Sequence, residues 1–201
     1  MLQRTWKKAF LIVPPTGKYI REERCQTPLE ELHTVALRPP MDLLYMGAVL
    51  ERAGVECRIA DYPAHNRGWD DFVEDLQNFQ PDALILSITT PTLEDDMIAA
   101  AKAKSIDPGI VTVTKGAHFI KLDTAALDQY PPLDVVMRGE YEETVVELAE
   151  GKPWEDIAGI TYRNGSDIRR NPDRGYIQDI DSIPFPARSL IDNSVYIRPD
   201  T

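Results

Sequence analysis

The chain has 201 residues, 43% of them hydrophobic and 27% charged, with a formal net charge of −11. That size suits one domain with an appendage, and the apolar share is enough for a packed core. The acidic balance argues against nucleic acid and anionic membrane surfaces, which select basic faces; there is no apolar run near the ~18 residues of a membrane span and no signal-peptide pattern, so a cytoplasmic location is expected.

In chain order, Ala9 to Pro15 is an apolar run stopped by prolines, as in a buried parallel strand. A polar loop runs from Thr16 to Pro40. The segment MDLLYMGAVLERAG repeats apolar residues at helical spacing (Leu43, Met46, Val49, Leu50) and ends at Gly54, a suitable glycine for a helix C-terminus. Val55 to Pro63 alternates like a strand. WDDFVEDLQNFQPD reads as a helix stopped by Pro81, and Ala83 to Thr89 as a third strand. TLEDDMIAAAKAKSI reads as a helix with Thr92 as N-cap and acidic residues in its first turn, where the helix dipole favours them. Ile110 to Thr114 is a fourth strand, LDTAALDQYP a short helix, Asp134 to Gly139 a fifth strand, and EETVVELAEG a helix ending at Gly151. After Gly151, two extended runs flank Asn164-Gly165, a hairpin-turn signal. The proline-bearing segment through Pro184, Pro186 and Pro199 reads as an extended strap.

Strands alternating with helices imply right-handed βαβ units and a parallel sheet. The expected fold is α/β: a flavodoxin-like, doubly wound five-stranded parallel sheet in the order 2-1-3-4-5, with a C-terminal β-hairpin and extended strap. Residues 1–152 are read as the sheet domain and 153–201 as hairpin and linker.

Ligands of such sheets bind past the carboxyl ends of the strands, where helix N-termini and bare backbone converge. The residues to weigh there are Thr16 and Gly17 after the first strand, Ser87, Thr89 and Thr90 after the third, Gly116, Ala117 and His118 after the fourth, and Arg138, Gly139 and Glu140 after the fifth. Hydroxyls in such loops often satisfy local backbone, so Ser87 and its threonine neighbours read equally as turn or ligand residues. Glu140, Glu142 and Glu143 also read as helix-start charges. Asp70-Asp71 and Asp95-Asp96 start helices and are expected to face water. Asp61 and His65 sit in a loop read as a turn. Cys25 and Cys57 are read as reduced thiols, and His33, His65 and His118 make no zinc pattern. Gly-rich phosphate loops and nucleophile elbows are absent from the sequence.

The ordered set RPPMDLLYMGAVLERAGVECRIADY, PDALILSITTPT, KGAHF, DVVMRGEYEET and GITYRNG…DIDSIPFPAR resembles the N-terminal cobalamin-binding domain of B12-dependent radical SAM enzymes. The branch resembled is that of the anaerobic magnesium-protoporphyrin IX monomethyl ester oxidative cyclase. The family's fourth strand usually ends in Gly-Gly-Pro-His; here the residues are Lys115-Gly116-Ala117-His118, while Arg138-Gly139-Glu140 keeps the fifth-strand pattern. The resemblance implies a flavodoxin-like domain with cobalamin across its strand ends. The corrin would lie over the first loop and Thr90, and the nucleotide tail would enter between sheet and helices near Ser87, Thr89 and Gly116. A D-x-H-x-x-G motif after the first strand is missing, so base-off cobalamin without a protein histidine is expected. The resemblance also implies a radical SAM domain in cis that uses S-adenosylmethionine and a [4Fe-4S] cluster, lying beyond this chain; alone, the chain is expected to be inactive. Methyl transfer and oxidative cyclisation both remain open.

Two other readings apply to a sheet of this kind. A receiver-like signalling domain needs an acceptor aspartate ending the third strand, where Ser87 stands. A cofactor-free docking or recognition domain on the same fold would keep the sheet without the ligand.

Overall fold

The computed structural model describes residues 4–16 and 37–197. Five strands, β1 (Lys8–Val13), β2 (Glu56–Asp61), β3 (Ala83–Ser87), β4 (Val111–Lys115) and β5 (Val135–Met137), pair in parallel in the order β2-β1-β3-β4-β5. That is the expected topology. The sheet is wider than expected, however. The hairpin β6 (Ile160–Asn164) and β7 (Asp167–Arg170) adds antiparallel to β5 and brings the sheet to seven strands. Ile160 and Tyr162 bury against the same core as Val135 and Met137, which is why the hairpin docks instead of standing apart.

Both faces of the sheet are covered. Helices α1 (Met41–Arg52) and α5 (Glu142–Ala149) close one core with Ala9, Leu11, Val13, Ala83, Ile85 and Val113. Helices α2 (Trp69–Phe79), α3 (Leu93–Ile106) and α4 (Phe119–Gln129) close the other with Phe10, Ile12, Leu84, Leu86 and Val136. Alternate residues of each strand therefore enter opposite cores, which explains the continuous apolar runs of β1 and β3. Helix α1 ends in a Schellman arrangement: the Gly54 N–H donates to the Glu51 carbonyl (2.9 Å) and the Val55 N–H to that of Leu50 (3.0 Å).

Several local readings change. Helix α4 starts at Phe119, not Leu122, because Phe119 is a fully buried anchor; Leu122 has non-helical angles (φ −109°, ψ 17°) and marks a kink. The hairpin turn is Gly165-Ser166, since Asn164 pairs with Asp167; among its residues only Gly165 takes positive φ (+64°), the sign pattern of a type II′ turn. Thr92 stands at the start of α3 but makes no side-chain cap. Asp70 and Asp95 do face water, whereas Asp71 accepts the Gly68 N–H (2.8 Å) and Asp96 is fully buried.

Arg138 clamps the hairpin. Its guanidinium, 3% exposed, donates to Asp123 of α4 (3.0 Å), Thr161 of β6 (2.7 Å) and the Asn171 carbonyl (2.7 Å). Asp123 also receives Arg170 (2.9 Å) and the Thr161 hydroxyl. The strap lies along α1: the Ala187 N–H bonds to the Leu44 carbonyl (3.1 Å) and Arg52 to the Ser182 carbonyl (2.6 Å). Tyr196 reaches Asp61 at the end of β2 (3.0 Å).

Removing one member of a buried ion pair leaves an uncompensated charge. Arg138→Ala is expected to lower stability by about 3–5 kcal/mol in denaturant unfolding. Arg169→Ala, which breaks the exposed Arg169–Asp167 pair, is expected to cost less than ~1 kcal/mol.

Candidate functional site

The carboxyl ends of β1, β3, β4 and β5 form one edge. Thr16, past β1, donates to the buried Asp96 carboxylate (2.6 Å). Thr92 donates to the other oxygen of that carboxylate, and the Thr89 and Thr92 hydroxyls lie 2.9 Å apart. Asp96 thus ties the loop after β1 to the loop after β3. Gly17, with Cys25 and His33, lies outside the described residues.

Beyond β4, His118 and Thr90 meet across the edge, Nδ1 to Oγ1 at 3.2 Å, with the imidazole edge-on to Phe119. Gly116 sits against the loop after β3: a Cβ there would come within 2.6 Å of the Ile88 carbonyl oxygen, and its φ is +155°. The reason for glycine at 116 thus includes contact between two loops of the protein itself. Ala117 is exposed, and a Cβ on Gly139 of the adjacent strand end would meet nothing within 4 Å. Together these positions make a shelf of bare backbone and small side chains.

Arg138 was expected at this shelf, and its guanidinium does not reach it. The position after Met137 faces α4, so the side chain is held by Asp123 and Thr161. Glu140 accepts the Ile177 N–H of the strap (2.5 Å). Asp61 accepts the Ala64 N–H (3.1 Å) and His65 packs on the Asp61 carbonyl (2.9 Å), so that loop is the turn that was expected.

Of the groups beneath the shelf, sequence reasoning named Ser87 and missed its partners Asp42, Lys115 and Tyr141. Lys115, the last residue of β4, extends under it to Asp42 in the first turn of α1 (2.8 Å). The same Asp42 oxygen accepts Ser87 (2.7 Å), and the ammonium lies 4.7 Å from the Tyr141 ring centre. Burial acts to raise the Asp42 pKa, but the Lys115 cation and the Lys115 and Ser87 hydrogen bonds lower it more, leaving it below the ordinary carboxylate value. Its stabilisation is therefore present above the ordinary carboxylate range and lost as pH falls through the depressed value. Burial, then Asp42 and Glu142, push the Tyr141 hydroxyl upward. The acidic residue in the first turn of MDLLY is the one sequence signal for Asp42, and it reads as dipole complementarity. Cys57, pushed up to about 12 by burial and then by Glu51 and Glu56, is a poor nucleophile.

A hollow of about 560 Å³ lined by Trp154, Tyr162, Arg163 and Arg169 lies against the hairpin, and shares no residue with this edge. Among the described residues no group of three or more His, Cys, Asp or Glu could hold a metal, and no helix is long and apolar enough to cross a membrane.

The chain is 28% identical over 193 residues to an uncharacterized methyltransferase of Pyrococcus horikoshii, covering 94% of this chain and 40% of that protein. It is 26% identical over 171 residues to the anaerobic magnesium-protoporphyrin IX monomethyl ester cyclase of Cereibacter sphaeroides, covering 79% of this chain and 27% of the cyclase. The chain thus spans less than half the length of either relative. In fold it is similar to the cobalamin-dependent S-adenosylmethionine radical enzyme OxsB, solved with aqua-cobalamin and S-adenosylmethionine bound: TM-score 0.68 at 14% identity, over 92% of this chain and 24% of that one. The model of the family described as B12 binding domain matches residues 35–149, from the approach to α1 through the end of α5. With the strand order 2-1-3-4-5 and the small-residue edge after β4 and β5, this match makes the chain a member of the B12-binding domain family.

Proposed function

We propose that this chain is the cobalamin-carrying part of a radical S-adenosylmethionine enzyme that performs methyl transfer or oxidative cyclisation, the latter including tetrapyrrole substrates. The observation that carries the reading is the shelf at Gly116, Ala117 and Gly139. A flat macrocycle fits there because Ala117 is exposed and a Cβ on Gly139 would meet open space. When bound, cobalamin supplies a cobalt centre that carries a methyl group or electrons; the protein supplies binding and orientation.

Each strand end has a task in this reading. Ala117 and Gly139 leave the shelf flat. Thr90 and His118 form its rim. Thr16 and Thr89 are held in place through Asp96 and Thr92. The absence of a D-x-H-x-x-G motif after β1 favours base-off cobalamin without a protein imidazole on cobalt. Residues 1–152 carry the cofactor site. Residues 153–201 lead towards a radical SAM domain in cis, where S-adenosylmethionine and a [4Fe-4S] cluster belong. The sheet itself works in a cytoplasmic enzyme.

Incubated with hydroxocobalamin and gel-filtered, the chain is expected to retain corrin absorption with base-off bands; complete loss under oxidising and reducing conditions alike would sink the reading. Ala117→Trp, which adds bulk on the shelf without a backbone penalty, is expected to weaken binding at least about tenfold with an unchanged melting temperature. Gly116→Ala is expected to lower stability by roughly 1–3 kcal/mol, because the methyl group must displace the Ile88 carbonyl.

A further inference from the structure

The strap has two unlike sides. Its inward side is fitted to α1 and β2: Leu190 and Ile191 pack on the core beneath α1, and Ala187 is buried. Gly47 makes the seat, since a Cβ there would come within 3.0 Å of Leu190 Cδ1 and 3.2 Å of Ile59 Cδ1. Two hydrogen bonds pin the strap along α1, from Arg52 to the Ser182 carbonyl and from the Ala187 N–H to the Leu44 carbonyl. Between those pins stands Phe185, 95% exposed, while Ile183, Pro184 and Pro186 around it are half-buried. The prolines fix their own backbone angles, and Pro186 confines Phe185 to extended backbone. The ring is thus held out from a rigid base.

Resting on the reading above that a radical SAM domain follows in cis, we propose that Phe185 is the anchor on which that domain docks, its ring entering an apolar socket there. A lone exposed apolar residue is common on protein surfaces. A fully exposed aromatic ring on a fixed backbone is different: it is the kind of side chain that anchors interfaces, because little ordering entropy is lost when it is buried. The tether decides the occupant. A domain joined through the strap meets Phe185 at an effective concentration on the order of millimolar, which a free partner or a second copy does not match. The relatives of this chain are more than twice as long as the stretch they share with it, which leaves room for such a domain. The strap also exposes Ile180 between Asp179 and Asp181. The matching surface is therefore apolar with cationic side chains at its margin. The inward side of the strap is seated on α1, whose first turn lies beneath the shelf, so docking at Phe185 fixes the following domain relative to the corrin edge.

The test is hydroxyl-radical footprinting read by mass spectrometry, on the 201-residue chain and on the full-length protein that contains it. In the 201-residue chain Phe185 is expected to be oxidised readily while the buried Phe10 and Phe72 stay unmodified, which also establishes that the chain is folded. In the full-length protein, reconstituted with its iron–sulfur cluster, Phe185 is expected to be protected at least about tenfold. Phe185→Asp is expected to leave the melting temperature and the cobalamin retention of the 201-residue chain unchanged. In the full-length protein the same substitution is expected to speed tryptic cleavage between the two domains about tenfold or more. Phe185 as reactive in the reconstituted full-length protein as in the 201-residue chain overturns the docking and leaves the cobalamin reading intact. Protection already present in the 201-residue chain and rising with its concentration also overturns it, in favour of a second copy. A full-length protein that takes up no iron–sulfur cluster removes the radical SAM reading and this proposal with it.

Discussion

The pleat of a sheet covered on both faces is the constraint on which the rest of this structure depends. Each strand must send alternate side chains into two different cores, and the apolar residues leave no freedom about which go where. The parity established by Ile85 and Val113 in the middle of the sheet therefore reaches its polar edge. Ser87 and Lys115 have to face α1, while Arg138 has to face α4. A one-residue slip in β4 would exchange Lys115 for Thr114 at the Asp42 position and open a different set of contacts. The chemistry of the edge is thus inherited from the packing of the core.

The same sorting turns three of the carboxylates near this edge inward. Asp96, Asp42 and Asp123 are carboxylates at or near the starts of three helices, and each is turned inward onto hydroxyls or cations. Asp96 joins two strand-end loops, Asp42 joins helix to sheet, and Asp123 joins α4 to the hairpin. Buried carboxylates need this degree of satisfaction, since an unpaired one is costly. The shelf itself presents backbone, Ala117, Gly139 and the Thr90–His118 rim. Such a surface suits a large flat ligand better than a small charged one, because contact area and not a point charge is what it offers.

The shelf lies past the carboxyl ends of β4 and β5, the edge at which doubly wound sheets hold their ligands. Lys115 is where the chain departs from the glycine pair that the resemblance leads one to expect. A lysine at the end of a strand would ordinarily extend into water. Here its stem runs under the shelf and its ammonium is held by Asp42 and Tyr141, so a one-residue difference changes the interior of the site and not its rim.

The sequence by itself determined the layer architecture and the strand order. Apolar runs stopped by proline, helical periodicity ending at Gly54, and strict alternation of strand and helix are local signals, and local signals survive without coordinates. It also located the edge, because strand ends can be counted along the chain. Only the tertiary structure decided what that edge contains. Arg138 reads as a strand-end cation until Asp123 and Thr161, 15 and 23 residues away, claim it. Asp96 reads as a solvated helix start until Thr16, 80 residues earlier, closes over it. The pairing of Lys115 with Asp42, and the docking of the hairpin on β5, rest on contacts between elements distant in sequence. Such contacts exist only once the sheet has brought its strand ends together, and no periodicity in the chain encodes them.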